Sequence, residues 1–246
     1  MAKFIILDTE TTGTSEEDRI IQLGFVVLGK PSEQPLVYNE FCSAPLPIKI
    51  EAMEVHGITP AMIEGKPECT QTQAFQALNS HNVPENFMII HNAKFDITML
   101  EKEGFMCQMQ LIDTLRCAKH LFPESKAHRL QYFRYEMGLY QEEAAEAAKL
   151  GVVVKAHDAI GDVLVLRLFV TKLVNAVKEK YGAIDVMAKL VELTQTPVLI
   201  QTFNFGKYRG RLISEVARED AGYLGWMQKN MDLDEDMQYT LKHYLG

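Results

Sequence analysis

Apolar residues come in short bursts near the N-terminus and at helical spacing further along the chain. Phe4 to Leu7 is a continuous apolar run and predicts a buried central strand. Arg19 to Leu28 and Leu36 to Cys42 predict two more strands, parted by short loops containing Gly and Pro. Three strands with no helix between them predict an antiparallel meander. Glu51 to Glu64 contains Thr59-Pro60, an N-cap followed by proline at the first position of a short helix, and Glu68 to Ser80 predicts another helix. Phe87 to Ile90 reads as a short buried strand, and Phe95 to Glu103 as a helix that stops at Gly104. A strand is expected over Met109 to Ile112, then helices over Thr114 to Leu121 and Ala127 to Met137. Gln141 to Lys149, rich in Ala and Glu, reads as a helix or a mobile segment. Asp158 to Tyr181 has strong 3.6-residue periodicity through Val163, Leu166, Phe169, Val170 and Leu173.

A meander followed by strands alternating with helices predicts an α/β fold, a mixed sheet flanked by helices of the ribonuclease H-like kind, over residues 1–182. Residues 195–246 are expected to form a separate, small α+β unit. Its aromatic segments, Phe203-Asn-Phe205 and Tyr223-Leu-Gly-Trp226, precede a helix that runs to Leu245. Aromatic side chains dominate small cores, so Phe203, Phe205 and Trp226 are expected inside it.

Composition narrows the function classes. The 246 residues are 47% hydrophobic, with no apolar run near the roughly 20 residues a membrane span needs. The N-terminal apolar run ends at Asp8 after four residues, too short for a signal peptide. A cytoplasmic protein with no membrane partner is expected. Cys42, Cys69, Cys107 and Cys117 form no C-x-x-C pair, so zinc-site spacing is absent and free thiols are expected. A net charge of −8 excludes a protein that coats nucleic acid by charge alone. Two stretches are locally basic. Thr114 to Arg134 holds Arg116, Lys119, Lys126, Arg129 and Arg134 against Glu124, and Pro197 to Arg211 holds Lys207, Arg209 and Arg211 with no acid. Either one alone reads as a solvated face.

Asp8-Thr-Glu10, directly behind the first apolar run, carries the chemistry. Residues i and i+2 of a strand project to the same face, so two carboxylates point together from the end of a buried strand. Like charges there repel, and burial disfavours their ionisation. A hard divalent cation such as Mg²⁺, which takes oxygen ligands, resolves both problems. Asp96 stands just past the strand Phe87 to Ile90, and Asp162 lies in the first turns of the long helix, with His157 five residues before it. Taken singly, Asp96 reads as an acid favoured by the helix dipole, Asp162 as an exposed helix acid and His157 as a solvated helix entry.

Taken in order, Asp-x-Glu-Thr-x-Gly, His-Asn-Ala-x-Phe-Asp and His-x4-Asp resemble the DEDDh, or DnaQ-like, family of 3′-to-5′ exonucleases. The resemblance covers about residues 4 to 170. Phe203-Asn-Phe-Gly-Lys-Tyr-Arg-Gly210, with Gly222-Tyr-Leu-Gly-Trp-Met227 and Thr240-Leu-Lys-His-Tyr-Leu245, is similar to the tail of the exodeoxyribonuclease X-like branch. The resemblance implies that Asp8, Glu10, Asp96 and Asp162 hold two divalent ions, Mg²⁺ with Mn²⁺ also accepted. It makes His157 the base that takes a proton from water, and it implies release of nucleoside 5′-monophosphates from DNA 3′ ends, expected to be single-stranded. It places backbone donors of Thr11, Thr12 and Gly13 at the terminal nucleotide.

Val55 and His56, within Met53-Glu-Val-His-Gly-Ile-Thr59, fall where the family packs a sugar and base; a purely structural role is equally open. Asn92 orients groups at the site or caps the helix that follows. Lys207 and Arg209 are the tail's candidates for phosphate contact. Gln22 stands where many members have Glu. The same resemblance leaves open trimming of RNA 3′ ends, proofreading beside a polymerase, and a non-catalytic nucleic-acid-binding module. Oligomeric state is not encoded in these features.

Overall fold

The computed structural model describes residues 2–152 and 159–246. Strands β1 (Phe4–Thr11), β2 (Ile20–Leu28) and β3 (Leu36–Phe41) form the antiparallel meander. Short helices α1 (Ile50–His56) and α2 (Pro60–Ile63) follow, with Thr59 as N-cap of α2. A single 3₁₀ turn at Cys69–Gln71 precedes α3 (Gln73–Ser80), so the segment expected as one helix is broken in two. Thr72 makes the break, because its hydroxyl caps Phe75 N–H and starts a new helix.

β4 (Phe87–Ile90), α4 (Ala93–Lys102), β5 (Gln110–Asp113) and α5 (Thr114–Leu121) continue the chain. Next come α6 (Leu130–Glu136), α7 (Glu143–Leu150), α8 (Ala159–Tyr181) and α9 (Val186–Gln195). The sheet order is β3-β2-β1-β4-β5, with β4 parallel to β1 and β5 parallel to β4. The parallel strands occupy the middle and one edge, where α4 supplies the crossover from β4 to β5.

Strand alternation sorts the sheet's two faces. Ile6, Val26, Ile89 and Ile112 pack with Ile160, Val163, Leu164 and Phe169 of α8 and with Leu190 and Leu193 of α9. Ile5, Leu7, Phe25, Met88 and Ile90 pack with α3 and α4 through Phe75, Leu78, Met99 and Leu100. Each such buried aliphatic or aromatic side chain contributes about 1.5–3 kcal/mol. Phe169 also stacks on Phe133 of α6, with ring centroids 4.6 Å apart. Among the described residues no helix is long and apolar enough to cross a membrane, and the four cysteines are free.

Gly24 fixes how closely α8 approaches the sheet. A Cβ at that position would lie 2.8 Å from Ala159 Cβ and 2.9 Å from Ile160 N. Any side chain there would push the first turn of α8 away from β2. Gln22 reinforces the contact, since its Oε1 accepts from Ala159 N–H (3.4 Å) while its Nε2 donates to Asn39 (2.9 Å).

The tail comprises α10 (Ile213–Glu219), α11 (Ala221–Asn230) and α12 (Glu235–Leu245), with one antiparallel bridge, Thr202–Leu212. Phe203 and Leu224 lie in its core and Phe205 packs at its margin. Trp226 does not follow the core expectation. It is 52% exposed and stacks on Tyr223 at 5.9 Å. Leu224 and Met227, its neighbours on α11, fill the inward face instead.

Arg116 of α5 joins the tail to the rest. Its Nε donates to Thr194 O (2.7 Å), its Nη2 to Thr196 O (2.8 Å), and its fork reaches Asp236 of α12. Asp236 Oδ1 also accepts from Val198 N–H (2.8 Å). Arg116→Ala leaves a largely buried carboxylate and two carbonyls short of donors. We expect a loss of about 2 kcal/mol in urea unfolding, with Arg116→Lys intermediate because an ammonium cannot take the planar fork.

Candidate metal and nuclease site

β1 carries Asp8 and Glu10 on the face that packs against α8, and α8 carries Asp162 in its first turn. One carboxylate oxygen from each of the three lies within 4.8 Å of the others, and all three side chains are half-buried. Two ionised carboxylates at that separation repel by roughly 3 kcal/mol at an effective dielectric constant of about 20. Oxygen ligands on opposite sides of one hard cation stand about 4–5 Å apart, so the group fits such an ion. The fold supplies the repulsion and the spacing together.

Asp96 arrives from the other face. Residue 9 points away from Asp8 and Glu10, toward α4, and there Asp96 Oδ1 accepts from Thr9 N–H (3.0 Å) and Thr9 Oγ1 (2.7 Å). Asp96 is therefore held at the same strand tip without joining the three-acid group. Burial raises its carboxyl to about 7, against the donors from Thr9, which act in the opposite sense. His157 lies outside the described residues.

Gln131 is a site residue that the sequence motifs do not reveal. Its Nε2 donates to Asp162 Oδ1 at 2.6 Å. Its Oε1 accepts from Arg134 (3.2 Å), which in turn makes two 2.5 Å bonds to the buried Glu143. The chain Glu143–Arg134–Gln131 aims the Asp162 carboxylate. A glutamine on an amphipathic helix gives no signal until α6 is placed against α8.

The turn after β1 is tightly tied. Thr11 Oγ1 donates to Gly13 O (2.7 Å). Thr12 N–H goes to Arg19 O (2.9 Å), so Thr12 is spent on the fold and offers a substrate no backbone donor. Asp18 gathers Thr12 Oγ1 (2.8 Å), Ser15 N–H (2.7 Å), Ser15 Oγ (2.6 Å) and Lys49 Nζ (2.6 Å). Burial alone would raise the Asp18 carboxyl, but the donors from Lys49, Ser15 and Thr12 outweigh it and hold it well below the usual carboxylate range. Lys102 Nζ also pins the loop by donating to Ser15 O (2.9 Å).

His56 is buried and fully occupied. Its Nδ1 accepts from Ile58 N–H (2.9 Å), so the proton sits on Nε2 and is donated to Thr11 O (3.1 Å). It shapes the turn, whereas Val55 beside it is 61% exposed. Asn92 takes the left-handed conformation (φ 69°) at the start of α4, and its side chain makes no cap bond. Asp113 does the capping, accepting from Asn92 N–H (3.1 Å) and Ala93 N–H (3.2 Å) as well as from Leu115 N–H at the start of α5 (2.9 Å). The Asn92 side chain is left exposed at the site's edge. In the tail, Lys207 is paired with Asp220 (3.1 Å) and lies 4.6 Å over the Tyr208 ring, while Arg209 is exposed with no ion pair among the described residues.

Comparison with known proteins agrees with this geometry. The Exonuclease family model matches residues 5–167, two thirds of the chain, and the chain belongs to that family. Separately, residues 203–232 match the Exodeoxyribonuclease X-like C-terminal model. Exodeoxyribonuclease 10 of Escherichia coli strain K12 is 30% identical over 247 residues, spanning 98% of this chain and 97% of that protein. The solved structure of Exonuclease X in complex with 5′ overhanging duplex DNA covers 79% of this chain and 99% of its own, with a TM-score of 0.52 at 20% identity. E. coli Exonuclease I in complex with a dT13 oligonucleotide covers 73% of this chain and 42% of its own, with a TM-score of 0.51 at 21% identity. These likenesses give the mixed five-stranded sheet its place in the exonuclease, ribonuclease H-like, fold. Members of the family generally depend on divalent metal, in keeping with the acidic group found here.

Two measurements probe this arrangement. A carboxyl whose folded pKa is raised adds stability below its unfolded value, and that stability is lost as pH rises toward the folded value. In chelator, Asp96→Asn should therefore gain stability relative to the unaltered protein between pH ~4 and about 7. Denaturant titrations across that range check it, and added Mg²⁺ should shrink the gain because a nearby cation favours the ionised form. Gln131→Ala should weaken divalent-cation binding about tenfold in calorimetric titration.

Proposed function

We propose that this chain is a metal-dependent 3′-to-5′ exodeoxyribonuclease that releases nucleoside 5′-monophosphates from the 3′ ends of DNA, with single strands as the preferred form. The convergence of Asp8, Glu10 and Asp162 carries the proposal. The curated relative is by name an exodeoxyribonuclease, and the two solved relatives are complexes with DNA, one a duplex with a 5′ overhang and one a dT13 strand. These support DNA as the substrate.

Asp8, Glu10 and Asp162 hold the cations, with Asp96 serving a second position from the opposite side of the strand tip. Mg²⁺ fits the all-oxygen donor set, and Mn²⁺ is accepted by the same ligands. Bound there, hard cations supply Lewis-acid charge that draws electron density from the phosphate and makes water more acidic. The protein's own groups do the rest. His157, five residues before Asp162, takes the proton of the attacking water, a task suited to an imidazole near neutral pH. Gln131 keeps the Asp162 carboxylate aimed. The exposed Val55 packs against the terminal sugar or base, and the Asn92 amide, with Thr11 and Gly13 of the turn, positions the terminal nucleotide. Lys207 and Arg209 meet phosphates further along.

Asp8→Asn and Asp162→Ala should each lower mononucleotide release at least about 10³-fold, the scale on which metal-assisted charge stabilisation acts. A panel of end-labelled DNA and RNA oligonucleotides, single-stranded and duplex, with Mg²⁺ and with chelator, tests the reaction and the substrate together. Absence of Mg²⁺-dependent mononucleotide release from single-stranded DNA would overturn the proposal.

A further inference from the structure

The single tryptophan of the chain stands in water. Trp226 of α11 is 52% exposed, while its neighbours Leu224 and Met227 are fully buried. Its setting is nonetheless built. Tyr223, one helical turn earlier, stacks on the indole with centroids 5.9 Å apart and planes 23° from parallel. Tyr223 in turn meets Tyr208 edge-on at 5.0 Å and the buried Phe203 at 6.2 Å. Asp220 locks this row from below. It accepts from the Tyr208 hydroxyl (2.6 Å) and, as N-cap of α11, from Tyr223 N–H (3.1 Å). The rings Phe203, Tyr223 and Trp226 therefore run from the tail's core to its surface, and the indole has a fixed backing.

The charges around this row leave cations over. Between Gly206 and Asn230 the acids are Glu215, Glu219 and Asp220, and each is engaged. Glu215 and Glu219 pair with Arg211 (3.6 and 2.9 Å), and Asp220 pairs with Lys207 (3.1 Å). Arg209, Arg218 and Lys229 are exposed and make no ion pair among the described residues. Lys229 is the one placed by Trp226. Residues three apart on a helix are neighbours, with Cβ atoms about 5–6 Å from each other. Tyr223, Trp226 and Lys229 thus follow one another along one side of α11. The helix itself contains no acid, and Asp232, past its end, is exposed.

We propose that Trp226, backed by Tyr223, is a stacking site for an unpaired base of single-stranded DNA, with Lys229 taking an adjoining phosphate. An exposed indole by itself would suit any apolar partner. The unpaired lysine one turn away, on a helix free of acids, points to an anionic one. A base laid on an aromatic plate binds with little regard to sequence, because every base has a π-face. Lysine supplies the contact to the backbone that fixes register. Bases inside a duplex are stacked on one another and have no face to offer, so the site selects single strands. It belongs to the tail and shares no residue with the acids of β1 and α8. The inference takes its class of ligand from the proposed nuclease function, but the binding it describes needs no metal.

Because the chain has one tryptophan, the site is its own reporter. In chelator, a 20-nucleotide thymidylate strand should quench the indole emission in a saturable titration. An abasic strand of the same length and charge, and a blunt duplex, should leave the emission unchanged over the same range. In anisotropy titrations of the labelled thymidylate strand, Trp226→Ala should weaken binding at least about fivefold, and Trp226→Phe should recover most of the loss. Lys229→Gln should flatten the dependence of log K on log salt by about 0.7, the value for one lost contact to a single strand. No quenching by thymidylate, equal quenching by the abasic strand or the duplex, or an unchanged affinity in Trp226→Ala overturns the site. So does an indole emission that shifts with protein concentration alone, together with a dimer that Trp226→Ala dissociates in ultracentrifugation, which would assign this face to a second copy of the chain. The comparison of thymidylate with abasic strand uses the unaltered protein, so it decides the matter even if Trp226→Ala fails to fold. Mg²⁺-dependent mononucleotide release by the unaltered protein is scored separately, and its absence would sink the nuclease reading without touching the quenching result.

Discussion

The contact between the first turn of α8 and β2 governs the rest of the structure. Asp162 can stand beside Asp8 and Glu10 only because the helix backbone is allowed onto the sheet at Gly24. The acids gain nothing from one another; without a cation they drive the two elements apart. What holds them is apolar burial along the remainder of α8, from Ile160 through Val177, together with the Gln22 bond at the helix start. A hydrophobic ridge is thus set against a small electrostatic wedge, and the ridge prevails by a wide margin. Stability invested along the whole helix offsets local repulsion at its tip.

β1 divides its labour by parity. Even-numbered residues at its end face α8 and bear the acidic group, while Thr9 faces α4 and takes hold of Asp96. The two sides are coupled through a single backbone, since the amide that bonds Asp96 lies between the two acids. Asp113 performs a related service one strand over, where one carboxylate starts both α4 and α5. Sharing an acceptor between two helices fixes their relative placement at this end of the sheet.

Much of this is legible in the residue pattern, and for identifiable reasons. The meander, the strand Phe87–Ile90 and the helix Thr114–Leu121 are bounded by strong local signals, and the long α8 carries unbroken periodicity. Asp8 and Glu10 declare themselves through their i, i+2 spacing, and Asp162 through the ordered motifs that carry the family resemblance. The parts that escape depend on contacts between distant elements. Gln131 becomes a site residue only through α6 packing on α8. The structural side of the His56 alternative, and the bonding of the Thr12 amide, show only once their partners Thr11, Ile58 and Arg19 are seen. Trp226 reads as core because aromatics usually are, yet its helix already has Leu224 and Met227 for that purpose. The helix Val186–Gln195 falls largely between the two units expected from the sequence. Asp185, capping Met187 and Ala188, and the apolar spacing through Leu190 and Leu193 are the signals that mark it.

The loop at residues 14–18 is staked by two lysines, Lys49 on Asp18 and Lys102 on Ser15. A loop so anchored has already surrendered its conformational freedom before any ligand arrives. Any ligand that meets this loop therefore spends little of its binding free energy on ordering it. The cost was met during folding, and it recurs at no turnover.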